Sequence, residues 1–114
     1  MKASRAVQVM TAAELEQLAR HGTLLLFKHQ RTCPISAAAF DQCRIFLAAH
    51  AEVRTAWLDV RASRDLAQQI ARDHDVRHES PQALLLRDGK VVWHASHDAI
   101  SAQSLARAVR DHAG

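Results

Sequence analysis

Cysteines, long apolar runs and blocks of like charge are all scarce in this sequence. Of its 114 residues two are cysteine, two proline and three glycine, and none is tyrosine. No apolar run approaches the roughly 20 residues that a membrane-crossing helix needs, so no membrane partner is expected. The formal net charge is +3, Lys and Arg are scattered, and no aromatic residues interleave with them, which argues against nucleic acid as a partner. Met1 to Arg5 lead into no signal-peptide core, so a cytoplasmic location is expected. In that reducing compartment, two cysteines argue against a structural disulfide. What is present is a 48% apolar composition, which suits one compact domain over residues 1–114 with a single core.

The order of elements follows from local signals. Ala6 to Val9 is a short edge-strand candidate. Thr11-Ala12-Ala13-Glu14 is a capping box, so a helix is expected from about Ala12 to Arg20, ended by His21-Gly22. Thr23 to His29 reads as a buried strand. Thr32 or Cys33 opens a helix to about His50, with Pro34 in its first turn, where a missing N–H costs nothing. Phe40, Cys43 and Leu47 mark its buried face. Val53 to Val60 reads as a second central strand, and Ser63 as the cap of a helix to about Asp73. Pro81 precedes the apolar run Ala83 to Leu86, and Asp88-Gly89 turns it back into Val91-Val92-Trp93 as an antiparallel hairpin. Ser101 can cap a last helix whose Leu105, Ala108 and Val109 face inward. The sum is β-α-β-α-β-α-β-β-α, an α/β fold with one mixed sheet and helices on both faces.

Within that frame Cys33 is the residue that carries chemistry. It follows a buried strand and stands where a helix begins, so free backbone N–H groups and the helix dipole favour its thiolate. Lys28, His29 and Arg31 make its surroundings electropositive by composition. The expected effect is a thiol lowered from roughly 8.5 into the range of about 3.5 to 7.5. Ser36 lies one helical turn on. Its hydroxyl either donates to the thiolate or satisfies a backbone N–H, and it cannot expel a thiol bound at Cys33 as a second cysteine would. Cys43 is no substitute. Ten residues of helix put it about 15 Å away, whereas a disulfide needs Cα atoms about 5.5 Å apart. A mixed disulfide at Cys33 therefore calls for an outside thiol.

Two further segments stand out. Taken by itself, Pro81 after Ser80 reads as an ordinary trans proline opening a strand. Ser96-His97-Asp98 falls between the last strand and the last helix. His78, His94 and His97 cluster around the hairpin, but no pair has the spacing of a zinc site, so no metal is expected. His94, next to Trp93 in a strand, reads as a surface residue. The pair His78-Glu79 reads equally as an orienting element, a client contact or a solvated pair.

Thr32-Cys33-Pro34-Ile35-Ser36, Arg77-His78-Glu79-Ser80-Pro81-Gln82 and Ala95-Ser96-His97 followed by Ile100 occur in that order. Together they resemble the monothiol bacilliredoxins of the YtxJ type, in the thioredoxin-like superfamily. The likeness runs from about Thr11 to His112. It implies a thioredoxin-like fold, with Cys33 as nucleophile in a Cys-Pro-Ile-Ser site that includes Pro34 and Ser36. It also implies that Pro81 is a cis-proline and that the Ser80 backbone pairs with a client chain. The implied partners are S-thiolated client proteins and a low-molecular-weight thiol, bacillithiol, acting as co-substrate rather than bound cofactor. By likeness to the related glutaredoxins, Ser96, His97 and the following helix N-terminus are expected to hold the carboxylates of that thiol; plain capping of the last helix is the equal alternative. Two alternatives stay open: an adaptor without catalysis, and an oxidant sensor in which Cys33 becomes a sulfenic acid.

Overall fold

The computed structural model describes residues 6–112; residues 1–5, read above for a targeting signal, lie outside them, as do 113 and 114. The elements run β1 (Val7–Gln8), α1 (Ala12–Ala19), β2 (Thr23–His29), α2 (Pro34–Ala49), β3 (Thr55–Asp59), α3 (Arg64–His74), β4 (Gln82–Arg87), β5 (Lys90–Ser96) and α4 (Ala102–His112), with a 3₁₀ turn at His97–Ala99. The expected order of elements is the observed one.

Local chemistry sets most of the boundaries. Thr11 Oγ1 accepts the Glu14 N–H at 3.1 Å, and Glu14 Oε1 accepts those of Thr11 and Met10, so the capping box at α1 is complete. Asp88 and Gly89 take φ of 51° and 84°, the positive values that a two-residue hairpin turn of right-handed twist requires. Ser101 and Ser104 cap α4 reciprocally, each hydroxyl accepting the other's N–H at 3.0 Å. Two expectations change. The strand expected over Val53 to Val60 is shorter, because the Asp59 carboxylate accepts the N–H groups of Arg61 and Ala62 and turns the chain. Ser63 holds the N-cap position of α3, but its hydroxyl makes no cap bond.

The five strands form one sheet in the order β1-β3-β2-β4-β5. β1, β3 and β2 are parallel, and β4 runs antiparallel to both β2 and β5. α2 and α4 cover one face, closing a core of Leu25, Phe27, Cys43, Phe46, Leu47, Leu85, Ile100 and Leu105. α1 and α3 cover the other over Leu15, Leu24, Leu26, Leu58, Leu66, Ile70 and Leu84. β2 is therefore buried on both faces, which is why its sequence is a continuous apolar run rather than an alternation. Each fully buried leucine contributes about 1.5–3 kcal/mol. This arrangement brings the C-terminal end of β2, which feeds Cys33, alongside the start of β4, which follows Pro81: Lys28 pairs with Gln82.

Candidate active site

Cys33 is the N-cap of α2, and Pro34 opens the helix. The Cys33 N–H donates to the Gln30 carbonyl at 3.0 Å, and its own carbonyl accepts the Ala37 N–H at 2.9 Å. The turn that presents the thiol is therefore closed by backbone bonds on both sides. Proline has no N–H to offer, so Ile35 and Ser36 supply the first donors of the helix, and neither N–H has a partner among the described residues. Cys33 is half-buried, while Ile35 beside it is exposed.

Ser36 points elsewhere. It is fully buried, and its Oγ accepts the Gln30 N–H at 2.9 Å while lying 2.7 Å from His29 Nδ1. Of the two roles expected for this hydroxyl, binding a backbone N–H is the one the geometry shows; Cys33 is not among its hydrogen-bond partners. The expected electropositive surroundings also shrink. Lys28 and His29 are consecutive in a strand and so leave it on opposite faces, and both are buried. Lys28 Nζ lies 3.1 Å from His78 Nδ1, and burial pushes its ammonium down to about 8. His29 lies against Phe40, Phe27 and Trp57, with ring centroids 4.5, 5.7 and 5.8 Å away. Burial holds it below its ordinary value, against the opposing pull of Asp59. Arg31 remains exposed in the loop.

Cys43 is sealed in the core between α2 and the sheet, and burial raises its thiol to about 12. It has neither the access nor the thiolate to meet Cys33.

The second half of the site is built by β4 and β5. The Ser80–Pro81 peptide is cis. Gln82 pairs with Ser96, and the His97 N–H donates to the Pro81 carbonyl at 3.1 Å, with His97 at a positive φ of 55°. Ser80, Pro81, Ser96 and His97 thus come together at one end of the hairpin. Neither the N–H nor the carbonyl of Ser80 has a backbone partner among the described residues. Its Oγ is buried without a partner among the described residues, as is Gln82 Oε1. His78 and Glu79, left open by the sequence, divide: His78 covers Lys28, and Glu79 Oε1 lies 3.5 Å from His97 Nδ1. The α4 N-terminus is less open to an anion than expected. Gln42 Oε1 on α2 accepts the Ala102 N–H at 2.9 Å, and Ser101 takes that of Ser104. His94 is exposed, as its place in β5 implied. Among the described residues no group of three His, Cys, Asp or Glu side chains could hold a metal ion.

His29 is the site residue that sequence reasoning undervalued. Its signal was available: as the last residue of a strand buried on both faces, a histidine must find a polar partner inside.

A family model described as the monothiol bacilliredoxin BrxC matches residues 7–105, a span that contains Cys33, Pro81 and His97. Among solved structures, a thioredoxin-fold protein described as a candidate oxidoreductase shares 38% identity at a TM-score of 0.86, over 90% of this chain and 92% of its own. Mitochondrial thioredoxin 3 from Saccharomyces cerevisiae, in its oxidised form, is 18% identical at a TM-score of 0.75, over 97% and 99% of the two chains. Thioredoxin from Trypanosoma brucei brucei is 14% identical at 0.78, over 96% and 92%; these two share the fold. A lone accessible thiol at a helix start, set on a thioredoxin fold and matched over most of its length, makes this chain a member of the monothiol bacilliredoxin family of thiol oxidoreductases.

Proposed function

We propose that the protein removes bacillithiol, or a similar low-molecular-weight thiol, from mixed disulfides on client proteins in the cytoplasm, using the Cys-Pro-Ile-Ser site. The observation that carries this reading is the separation of the two thiols. Cys33 is accessible at an open helix start, while Cys43 is fully buried and about 15 Å along the same helix by its rise. The chemistry available to one such thiol is exchange with an external partner.

In the first step the Cys33 thiolate attacks the bacillithiol sulfur of the client's mixed disulfide. That S–S bond breaks, a new one forms to Cys33, and the client leaves as a thiolate that takes a proton from water. In the second step a free bacillithiol thiolate attacks the bacillithiol sulfur on Cys33. Bacillithiol disulfide forms, and Cys33 returns as thiolate at a helix start whose Ile35 and Ser36 N–H groups have no partner among the described residues. The unpaired backbone of Ser80 offers a donor and an acceptor to an extended client chain. Ser96 and His97 border the place where the thiol's polar end would lie.

The test is a client carrying bacillithiol, incubated with the reduced protein and followed by intact mass. Reduced client and a bacillithiol adduct on Cys33 are expected, cleared by added bacillithiol and absent from Cys33→Ser. A client adduct that persists at the rate seen without the protein would sink the reading. A glutathione or coenzyme A adduct on protein taken from its own host would change the co-substrate and keep the chemistry.

A further inference from the structure

The His29–Ser36 contact sits directly beneath the turn that presents Cys33, and the exchange chemistry above makes no use of it. Ser36 Oγ has one proton to give and two lone pairs to fill. One lone pair takes the Gln30 N–H at 2.9 Å, and the remaining partner is His29 Nδ1 at 2.7 Å. Ser36 is fully buried and His29 nearly so, so no bulk water competes for the proton. A buried hydroxyl proton with no acceptor would be costly, and Nδ1 is the acceptor the structure provides.

That direction requires a neutral imidazole with its proton on Nε2. The surroundings enforce neutrality. Phe27, Phe40 and Trp57 enclose the ring. Among the charged groups around it, Arg31 from the loop and Arg44 from α2 oppose a second proton, and Asp59 from β3 favours one. Burial outweighs Asp59, and the balance falls on the neutral side.

We infer that His29 is a positioning residue for Cys33: by accepting the Ser36 hydroxyl proton it clamps the Gln30–Cys33 turn and withholds that hydroxyl from the thiolate. The physical consequence is specific. A hydroxyl donated to a thiolate would stabilise it and lower its nucleophilicity, since nucleophilic strength falls as the thiol becomes more acidic. With the hydroxyl committed inward, the Cys33 thiolate receives no proton from the Ser36 side chain. His29 thereby sets how acidic, and so how reactive, the single thiol is. This rests on Cys33 being the exchanging thiol, but it can be read without any client.

The experiment is the pH midpoint of Cys33 alkylation by iodoacetamide in the intact protein. Ser36→Ala is expected to leave the midpoint where it is, because the hydroxyl it removes does not face the thiolate. His29→Phe keeps an aromatic ring and deletes the acceptor. The freed hydroxyl then turns to Cys33, and the midpoint falls by about one pH unit, the scale of a hydrogen bond to a charged group. The double variant His29→Phe/Ser36→Ala is expected back at the wild-type midpoint. His29→Asn, whose amide oxygen can stand near the place of Nδ1, is expected to restore it as well. A midpoint that rises in Ser36→Ala overturns the inference by itself, whether or not His29→Phe folds. So does a His29→Phe shift that survives removal of the Ser36 hydroxyl. Failure of the bacillithiolated client to be reduced by the wild-type protein would defeat the proposed function and leave these titrations interpretable.

Discussion

Lys28 is buried with its ammonium 3.1 Å from His78 Nδ1, and among the described residues it forms no ion pair with a carboxylate. A cation inside a small core is ordinarily matched by an anion. Here a neutral imidazole accepts one of its protons, and both groups are held below their ordinary values by burial. The contact fastens the segment that leads into Pro81 onto β2, the strand that leads into Cys33.

A pH signature in stability follows. Burial lowers Lys28 from 10.5 to about 8, so between those values the unfolded chain binds the proton that the folded one has released. Stability from this group therefore rises as pH climbs from about 8 to 10.5. Lys28→Met removes the buried charge. Its stability relative to wild type is expected to be greatest below pH 8 and to decline to a constant above about 10.5, measured as the difference of urea unfolding free energies. A flat difference across that window would mean that Lys28 is not desolvated in solution.

The two thiols should separate cleanly by reagent. Cys43 is fully buried, with its thiol raised to about 12. Iodoacetamide at pH 8 is expected to add once to the native protein, at Cys33, and twice in denaturant, read by intact mass. A second adduct on the folded protein would place Cys43 within reach of solvent.

His97 should matter for binding rather than for the exchange step. Its N–H is fixed to Pro81 and its ring pairs with Glu79, leaving a polar edge beside the proline. His97→Ala is expected to raise KM for a bacillithiolated client several-fold, about 1 kcal/mol, with little change in kcat. An unchanged KM would remove His97 from the account of thiol recognition.

Thr11→Ala dismantles the capping box of α1. A loss of about 0.5–2 kcal/mol is expected, seen as a lower urea midpoint at an unchanged slope. Because α1 packs on the sheet face opposite the helix that begins at Cys33, client reduction at a temperature where both proteins are folded should be unaltered.

The order of elements, the helix start at Cys33-Pro34 and the hairpin at Asp88-Gly89 are legible in short stretches of residues. Those signals are local: a missing N–H that suits a first turn, a positive-φ pair that suits a tight turn, a continuous apolar run that suits a strand buried twice over. The sequence also separates Cys33 from Cys43, because helical rise alone keeps ten residues apart. Where polar groups turn when their partners are distant depends instead on how the elements pack. Ser36 looks to His29 because strand and helix pack face to face there. His78 goes to Lys28 and Glu79 to His97 because β4 enters between β2 and β5. The order in which strands pair depends on contacts summed over the whole core, and no window of residues around Cys33 contains them.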